Sequence, residues 1–238
     1  MTAVTRTGPR DDELVIVAVE GLCYSGKSTL IHHLAPRLDA IVAPEYTELA
    51  SLPSWPPADN AEVSAALRRF LDIEEQRARE IRARTTSRKH QSGPGHREVI
   101  VLLDRSPLTL IAHEYGMQAL GVPADPDGAA TLYADAASAE RILVPAAYLY
   151  LSVPDAISDG RRASRGPIAA HLDDPVVRAR IDETCRSWLR LIPSRRQMIL
   201  DGTMTPSLLA TAAASFITDL AGPSVPSWRL LVDAGAQA

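Results

Sequence analysis

The chain has 238 residues, 46% hydrophobic and 23% charged, with a formal net charge of −4. That is enough to bury one α/β core, and it argues against a protein whose main partner is a nucleic-acid backbone. No apolar stretch approaches the ~20 residues of a membrane span, Met1 to Glu13 lacks the apolar centre of a signal peptide, and Cys23 and Cys185 are too few for a disulfide scaffold, so a cytoplasmic protein with reduced thiols is expected.

Residues 1–13 are polar and read as a flexible lead-in. From Leu14 an unbroken apolar run ends at Gly21, as in a strand buried on both faces of a parallel sheet. Gly21-Leu22-Cys23-Tyr24-Ser25-Gly26-Lys27-Ser28-Thr29 then matches GxxxxGK[ST] and leads into a helical pattern. The two glycines allow successive amides to curl around one anion; Lys27 adds a positive charge for β- and γ-phosphates, Ser28 a hydroxyl for Mg²⁺, and the helix its positive end. The pattern arises by accident in roughly one chain of this length in a hundred or fewer, and here a strand precedes it and a helix follows. Lys27 is also one of only two lysines in an arginine-rich chain.

The first helix is expected from Ser28 to about Arg37, with His32 and His33 assigned to packing or solvent. Residues 40–43 make a second strand, and Glu45 leaves its carboxyl end, where ligands collect in open α/β sheets. The proline-rich residues 52–57 read as a loop that could fold over the pocket. From Asn60, apolar residues recur at helical spacing for about 25 residues, with Arg77 among many arginines, before a break at 91–96. Residues 98–104 form a third strand closed by Asp104, which can hold Mg²⁺ directly or through water, and Arg105-Ser106-Pro107 opens the next helix.

Helices are expected over 108–120 and 129–144, joined by a turn at 121–128, and a fourth strand over 148–153. In residues 160–166, Arg161 and Arg165 stand four apart on a short arm and are expected to converge, suited to stabilising a phosphoryl group in transfer. A helix over 176–192, a strand over 197–201 and a helix over 206–220 complete the pattern, with a packed strand or turn at 228–233 before the end. Five apolar runs alternating with helices predict a doubly wound parallel sheet.

Taken together, these points resemble the thymidylate kinase and deoxynucleoside kinase superfamily. Val19 to Thr29, including the acid Glu20 before the first glycine, is similar to its phosphate loop. Asp104-Arg105-Ser106 resembles its strand-end motif, Arg161 to Arg165 its arginine lid, and Asp201-Gly202-Thr203 its adenine-contacting loop. The helical segment from Phe70 to Arg77 is similar to the thymidylate kinase helix whose arginine reaches the acceptor's phosphate. The resemblance spans residues 14–220.

It implies a three-layer P-loop fold, with a five-stranded parallel sheet flanked by helices, over 14–221, a lid over about 155–170 and a tail over 222–238. It also implies transfer from Mg·ATP to a nucleoside monophosphate or nucleoside. Gly21, Tyr24, Ser25, Gly26, Lys27, Ser28, Thr29, Arg161, Arg165, Asp201, Gly202 and Thr203 would hold the donor, and Ser28 and Asp104 the metal. Lys27, Glu45, Asp104, Arg105, Arg161 and Arg165 would serve catalysis, with Glu45 or Asp104 as base. Glu45, Tyr46, Phe70, Arg77 and Arg105 would face the acceptor, Arg77 favouring a phosphorylated one. A homodimer is implied as well. Two departures bear on the acceptor: Glu45 is followed by Tyr46-Thr47-Glu48, and residues 107–115 lack the small-residue and glutamine pattern that lines a thymine pocket. A kinase of another small metabolite and a nucleotide-binding regulatory protein without transfer activity are the alternatives.

Overall fold

In the computed structural model, which describes residues 14–51, 56–92, 98–166 and 168–220, the first apolar run is strand β1 (Leu14–Glu20). It is followed by α1 (Lys27–Leu38), β2 (Ile41–Ala43), a single turn α2 (Tyr46–Leu49) and the long α3 (Asn60–Ser92). Next come β3 (Val99–Asp104), α4 (Pro107–Ala119), α5 (Pro126–Ser138) and β4 (Ala147–Ser152). The chain continues through α6 (Asp155–Arg165), α7 (Ala170–Asp173), α8 (Pro175–Leu191), β5 (Gln197–Asp201) and α9 (Pro206–Thr218).

The strands form one parallel sheet in the order β2-β3-β1-β4-β5. Alternation along β1 divides the core into two layers. Val17 and Val19 pack with Leu30 and Leu34 of α1 and with Leu209, Ala213 and Ile217 of α9. Ile16 and Ala18 face the other side, where α3 supplies Ala78 and Ile81, α4 Leu108 and Ala112, and α8 Trp188 and Leu189. The three-layer α/β architecture expected from the sequence is the one observed. Among the described residues no helix is long and apolar enough to cross a membrane.

The element boundaries differ where short-range chemistry overrides periodicity. The helix expected over 129–144 is Pro126–Ser138, because Asp125 accepts from the Gly128 amide at 2.9 Å as an N-cap with Pro126 at the first position. Glu140, at φ 54, turns the chain away after it. α3 has 33 residues rather than about 25. Within the segment expected as a lid over about 155–170, Asp155–Arg165 form one continuous helix, and α2 and α7 have no counterpart among the expected elements. The lead-in at 1–13, the strand or turn at 228–233 and the tail lie outside the described residues, as does most of the 52–57 loop and of the 91–96 break.

Leu34 is fully buried between α1 and the sheet. Leu34→Ala should therefore lower unfolding free energy by about 2–5 kcal/mol, measured by urea denaturation, since a cavity is left beside a stiff strand.

Candidate functional site

The loop after β1 curls through three left-handed residues, Gly21 (φ 137), Tyr24 (φ 61) and Gly26 (φ 105). Gly21 has a further constraint, because a Cβ there would sit 2.5 Å from the Leu151 carbonyl oxygen. Tyr24 bears a side chain in a conformation that disfavours one, and its phenol donates to the Gly166 carbonyl at 2.5 Å. Lys27 opens α1 and turns its ammonium back into the loop, donating to the carbonyls of Gly21 at 3.0 Å and Leu22 at 2.9 Å. Burial, then the neighbouring Arg105, lowers its proton affinity below the usual lysine range.

Register brings the ends of β1 and β3 together, with Val19 opposite Asp104. Asp104 Oδ2 accepts from Ser28 Oγ at 2.9 Å, while its buried Oδ1 has no partner among the described residues. One unpaired carboxylate oxygen beside a hydroxyl is an oxygen-only donor set that fits a hard divalent cation. Among the described residues no group of three or more His, Cys, Asp or Glu is arranged to hold a metal. Such a cation would take its remaining ligands from phosphate oxygens and water.

Arg105 follows in the left-handed region (φ 67). Its Nε donates to Glu45 Oε1, and its other nitrogens reach the Gly21 carbonyl and Cys23 Sγ, each at 3.4 Å. Burial pulls the Glu45 carboxyl upward, but Arg105 and Lys27 outweigh it and hold the group below its ordinary value. Glu45 is therefore a carboxylate at neutral pH. Next to this corner Glu20 is completely buried and accepts from Ser106 N at 2.9 Å, Ser106 Oγ at 2.5 Å and Thr109 Oγ1 at 2.5 Å. Desolvation raises its proton affinity, and the bonds from Ser106 and Thr109 offset this only in part.

The lid helix α6 rests on the phosphate loop. Arg161 donates to the carbonyls of Tyr24 (3.1 Å), Ser25 (2.8 Å) and Gly202 (2.7 Å), and Ser158 Oγ to that of Cys23 (3.3 Å). Asp201 folds its own loop, accepting from Thr203 N at 2.9 Å and Oγ1 at 2.7 Å. Gly202 packs so closely that a Cβ would lie 3.0 Å from the Ser25 carbonyl oxygen.

A cavity of about 840 Å³ lies between the phosphate loop, α2, α3, α4 and the lid. Of the expected donor and catalytic residues, Tyr24, Gly26, Lys27, Ser28, Arg105 and Arg165 line it, and on the acceptor side Glu45, Tyr46 and Phe70 do so. Gly21, Ser25, Thr29, Asp104, Arg161, Asp201, Gly202 and Thr203 do not line it. Arg161 and Arg165 differ in their surroundings: the first is bound to loop carbonyls and the second is an exposed cavity-lining residue. Helical spacing gave their common helix but not their partners.

Arg77 requires a larger correction. It is 1% exposed and does not line the cavity. Its Nη1 donates to Glu74 at 2.8 Å and its Nη2 to the carbonyls of Asp104 at 3.1 Å and Arg105 at 3.0 Å. The guanidinium also lies 4.9 Å from the Tyr46 ring centre. An arginine committed to these partners inside the core does not present itself to an acceptor's phosphate.

Thr109, His113, Glu114 and His171, to which no sequence motif points, also line the cavity. The first two lie at helical spacing after Ser106, so the α4 face was readable. His171 comes from α7 and meets His113 edge to face with ring centres 5.3 Å apart. Burial, then the neighbouring His113, pushes His171 down to about 4, so it is neutral at physiological pH.

No protein-family model matches the chain, and no curated protein does. Solved structures do. A deoxyadenosine kinase from M. mycoides, with dCMP and a flexible dCDP bound, is similar at a TM-score of 0.52 and 14% identity, covering 87% of this chain and 100% of that one. The same enzyme with dCTP gives 0.50 at 15% identity, covering 85% and 98%, and with dATP 0.50 at 12%, covering 85% and 99%. The likeness is one of fold, along almost the whole of each chain.

The Glu45–Arg105 pair sets a pH dependence with a definite sign. A carboxyl held below its ordinary value of 4.5 contributes stability that is complete above that value and is lost as pH falls through the lower folded one. The urea midpoint difference between the wild type and Glu45→Gln should thus be constant near neutrality and shrink in acid below about 4.5. A difference that instead grows in acid contradicts the assignment.

Proposed function

We propose that this chain is an ATP-dependent phosphotransferase that moves the γ-phosphoryl group to a nucleoside. The observation that carries the reading is the meeting, in one cavity, of the Lys27 loop with the Glu45–Arg105 ion pair. The fold shared with deoxyadenosine kinase supports it. A nucleoside is favoured over its monophosphate because Arg77, the arginine that would have received an acceptor phosphate, is used inside the core.

Each residue's part follows from its surroundings. The loop amides and Lys27 orient the donor's phosphates. Ser28 and Asp104 would hold Mg²⁺, whose chemistry is to neutralise charge on the donor's β- and γ-oxygens. Glu45, already ionised, accepts the proton of the acceptor hydroxyl. That oxygen forms a bond to the γ-phosphorus as the bond to the β–γ bridging oxygen breaks, and ADP leaves. Arg105 sits beside Glu45 and offsets charge where the two substrates meet. Arg165 supplies a further cation from the lid. The domain limits at 14–221, the cytoplasmic location and a homodimeric state belong to the same reading.

A panel of nucleosides and their 5′-monophosphates incubated with Mg·ATP and followed by ADP release tests the proposal. At least one nucleoside should turn over faster than its monophosphate; strict preference for monophosphates would reverse the acceptor assignment. Lys27→Ala should lower kcat by about a hundredfold or more while the protein stays folded by circular dichroism. Glu45→Gln should lower kcat by about 10²–10⁴ with a smaller change in acceptor KM.

A further inference from the structure

Arg105 is the one residue of the strand-end corner whose backbone lies in the left-handed region, and it carries the guanidinium that meets Glu45. A long side chain rarely adopts that conformation unless its surroundings impose it. Here the two peptide groups on either side of its Cα are each held at both ends. In the first, the Asp104 carbonyl accepts from Arg77 Nη2 at 3.1 Å and the Arg105 amide donates to the Val19 carbonyl at 3.2 Å. In the second, the Arg105 carbonyl accepts from the same Arg77 nitrogen at 3.0 Å and the Ser106 amide donates to Glu20 Oε1 at 2.9 Å. The angle between those two planes is what φ and ψ describe, so fixing both planes fixes the direction in which the Arg105 side chain leaves the strand.

Three of these four bonds come from two buried side chains, one acidic and one basic. Glu20 is 0% and Arg77 1% exposed, and neither lines the cavity. Arg77 is held in turn by Glu74 at 2.8 Å, which also accepts from the Tyr46 phenol at 2.5 Å. Tyr46 directly follows Glu45, so the same arginine holds the backbone of Arg105 directly and, through Glu74 and the Tyr46 side chain, the residue next to Glu45. We infer that Glu20 and Arg77 are positioning residues, clamping the corner from opposite sides so that the Arg105 guanidinium stays on Glu45.

The decisive variant is Arg77→Met combined with Glu74→Gln, which removes the clamp without leaving a buried charge unpaired. Arg77→Lys is the milder companion, because a single ammonium cannot serve Glu74 and two carbonyls at once, and it replaces the pair of changes should that protein fail to fold. In the crystal structure of either variant, Arg105 should leave the left-handed region or its guanidinium should part from Glu45. An Arg105 unmoved in backbone and side chain overturns the inference, whether or not the protein is a kinase.

The kinetic arm rests on the kinase reading. There kcat should fall by about tenfold to a hundredfold with the KM for ATP within about twofold. The same substitutions in an Arg105→Ala background should change kcat by less than about twofold, since the residue they act through is gone. Full additivity would overturn the inference. For Glu20, Ala should reproduce the loss, and Gln, which keeps an oxygen for the Ser106 amide, should restore most of it; equal losses would count against its part. A wild type that transfers no phosphate to any acceptor would refute the kinase reading and leave the crystallographic result to decide the clamp.

Discussion

A parallel sheet delivers all its carboxyl ends to one edge, and the register of its two central strands decides what meets there. With Val19 opposite Asp104, the loops that leave β1 and β3 begin about one strand spacing apart, near 4.8 Å. Everything chemical in the molecule follows from that adjacency. A slip of one residue would send Asp104 to the other face of the sheet and separate it from Ser28. Both faces of β1 and β3 are apolar, so the cost of such a slip lies in disrupting the close packing against α1 and α9 on one side and α3, α4 and α8 on the other.

The edge is crowded with charge, and its balance explains the individual groups. Glu20, Glu45 and Asp104 face Lys27 and Arg105 within a largely buried space. Lys27 is the cation in least comfortable surroundings, with burial and Arg105 both working against its charge. An arriving polyphosphate would reverse that, since an anion beside the ammonium favours its protonated form. Glu45 stays ionised for the opposite reason, because two cations overcome its desolvation. Of these three acids the one that lines the cavity, Glu45, is thus kept ionised, and the one buried deepest, Glu20, is surrounded by hydroxyl and amide donors.

Legibility in the sequence tracked the range of the interaction that fixes each feature. The phosphate loop was readable because a strand, two glycines, a lysine and a helix lie within seventeen residues of one another. The five strands were readable because burial on both faces leaves uninterrupted apolar runs. The place of Arg77 is not legible, because helical spacing assigns a residue to a face of α3 and says nothing of what that face meets. Its partners, the carbonyls of Asp104 and Arg105, lie 27 and 28 residues away. Tyr24 gave no sign of its left-handed backbone, since the bond that holds it reaches Gly166, 142 residues on. α2 is one turn long, too short for any period to appear, while the shifted start of α5 was written in Asp125-Pro126 and lost to a turn-like composition.

The lid shows how little surface charge decides when backbone acceptors are at hand. On its outer side α6 is joined to α8 through Arg178 with Asp155 and Asp159, and to the segment before α8 through Arg162 with Asp173. Partly exposed pairs of this kind contribute little to stability. On its inner side one guanidinium, that of Arg161, spans the carbonyls of Tyr24, Ser25 and Gly202, and so joins the lid, the phosphate loop and the loop after β5. Those carbonyls are neutral acceptors, and charged oxygens bind a guanidinium more strongly and at shorter range. Charged oxygens brought to this loop would therefore compete for Arg161 on favourable terms with the three carbonyls that hold it.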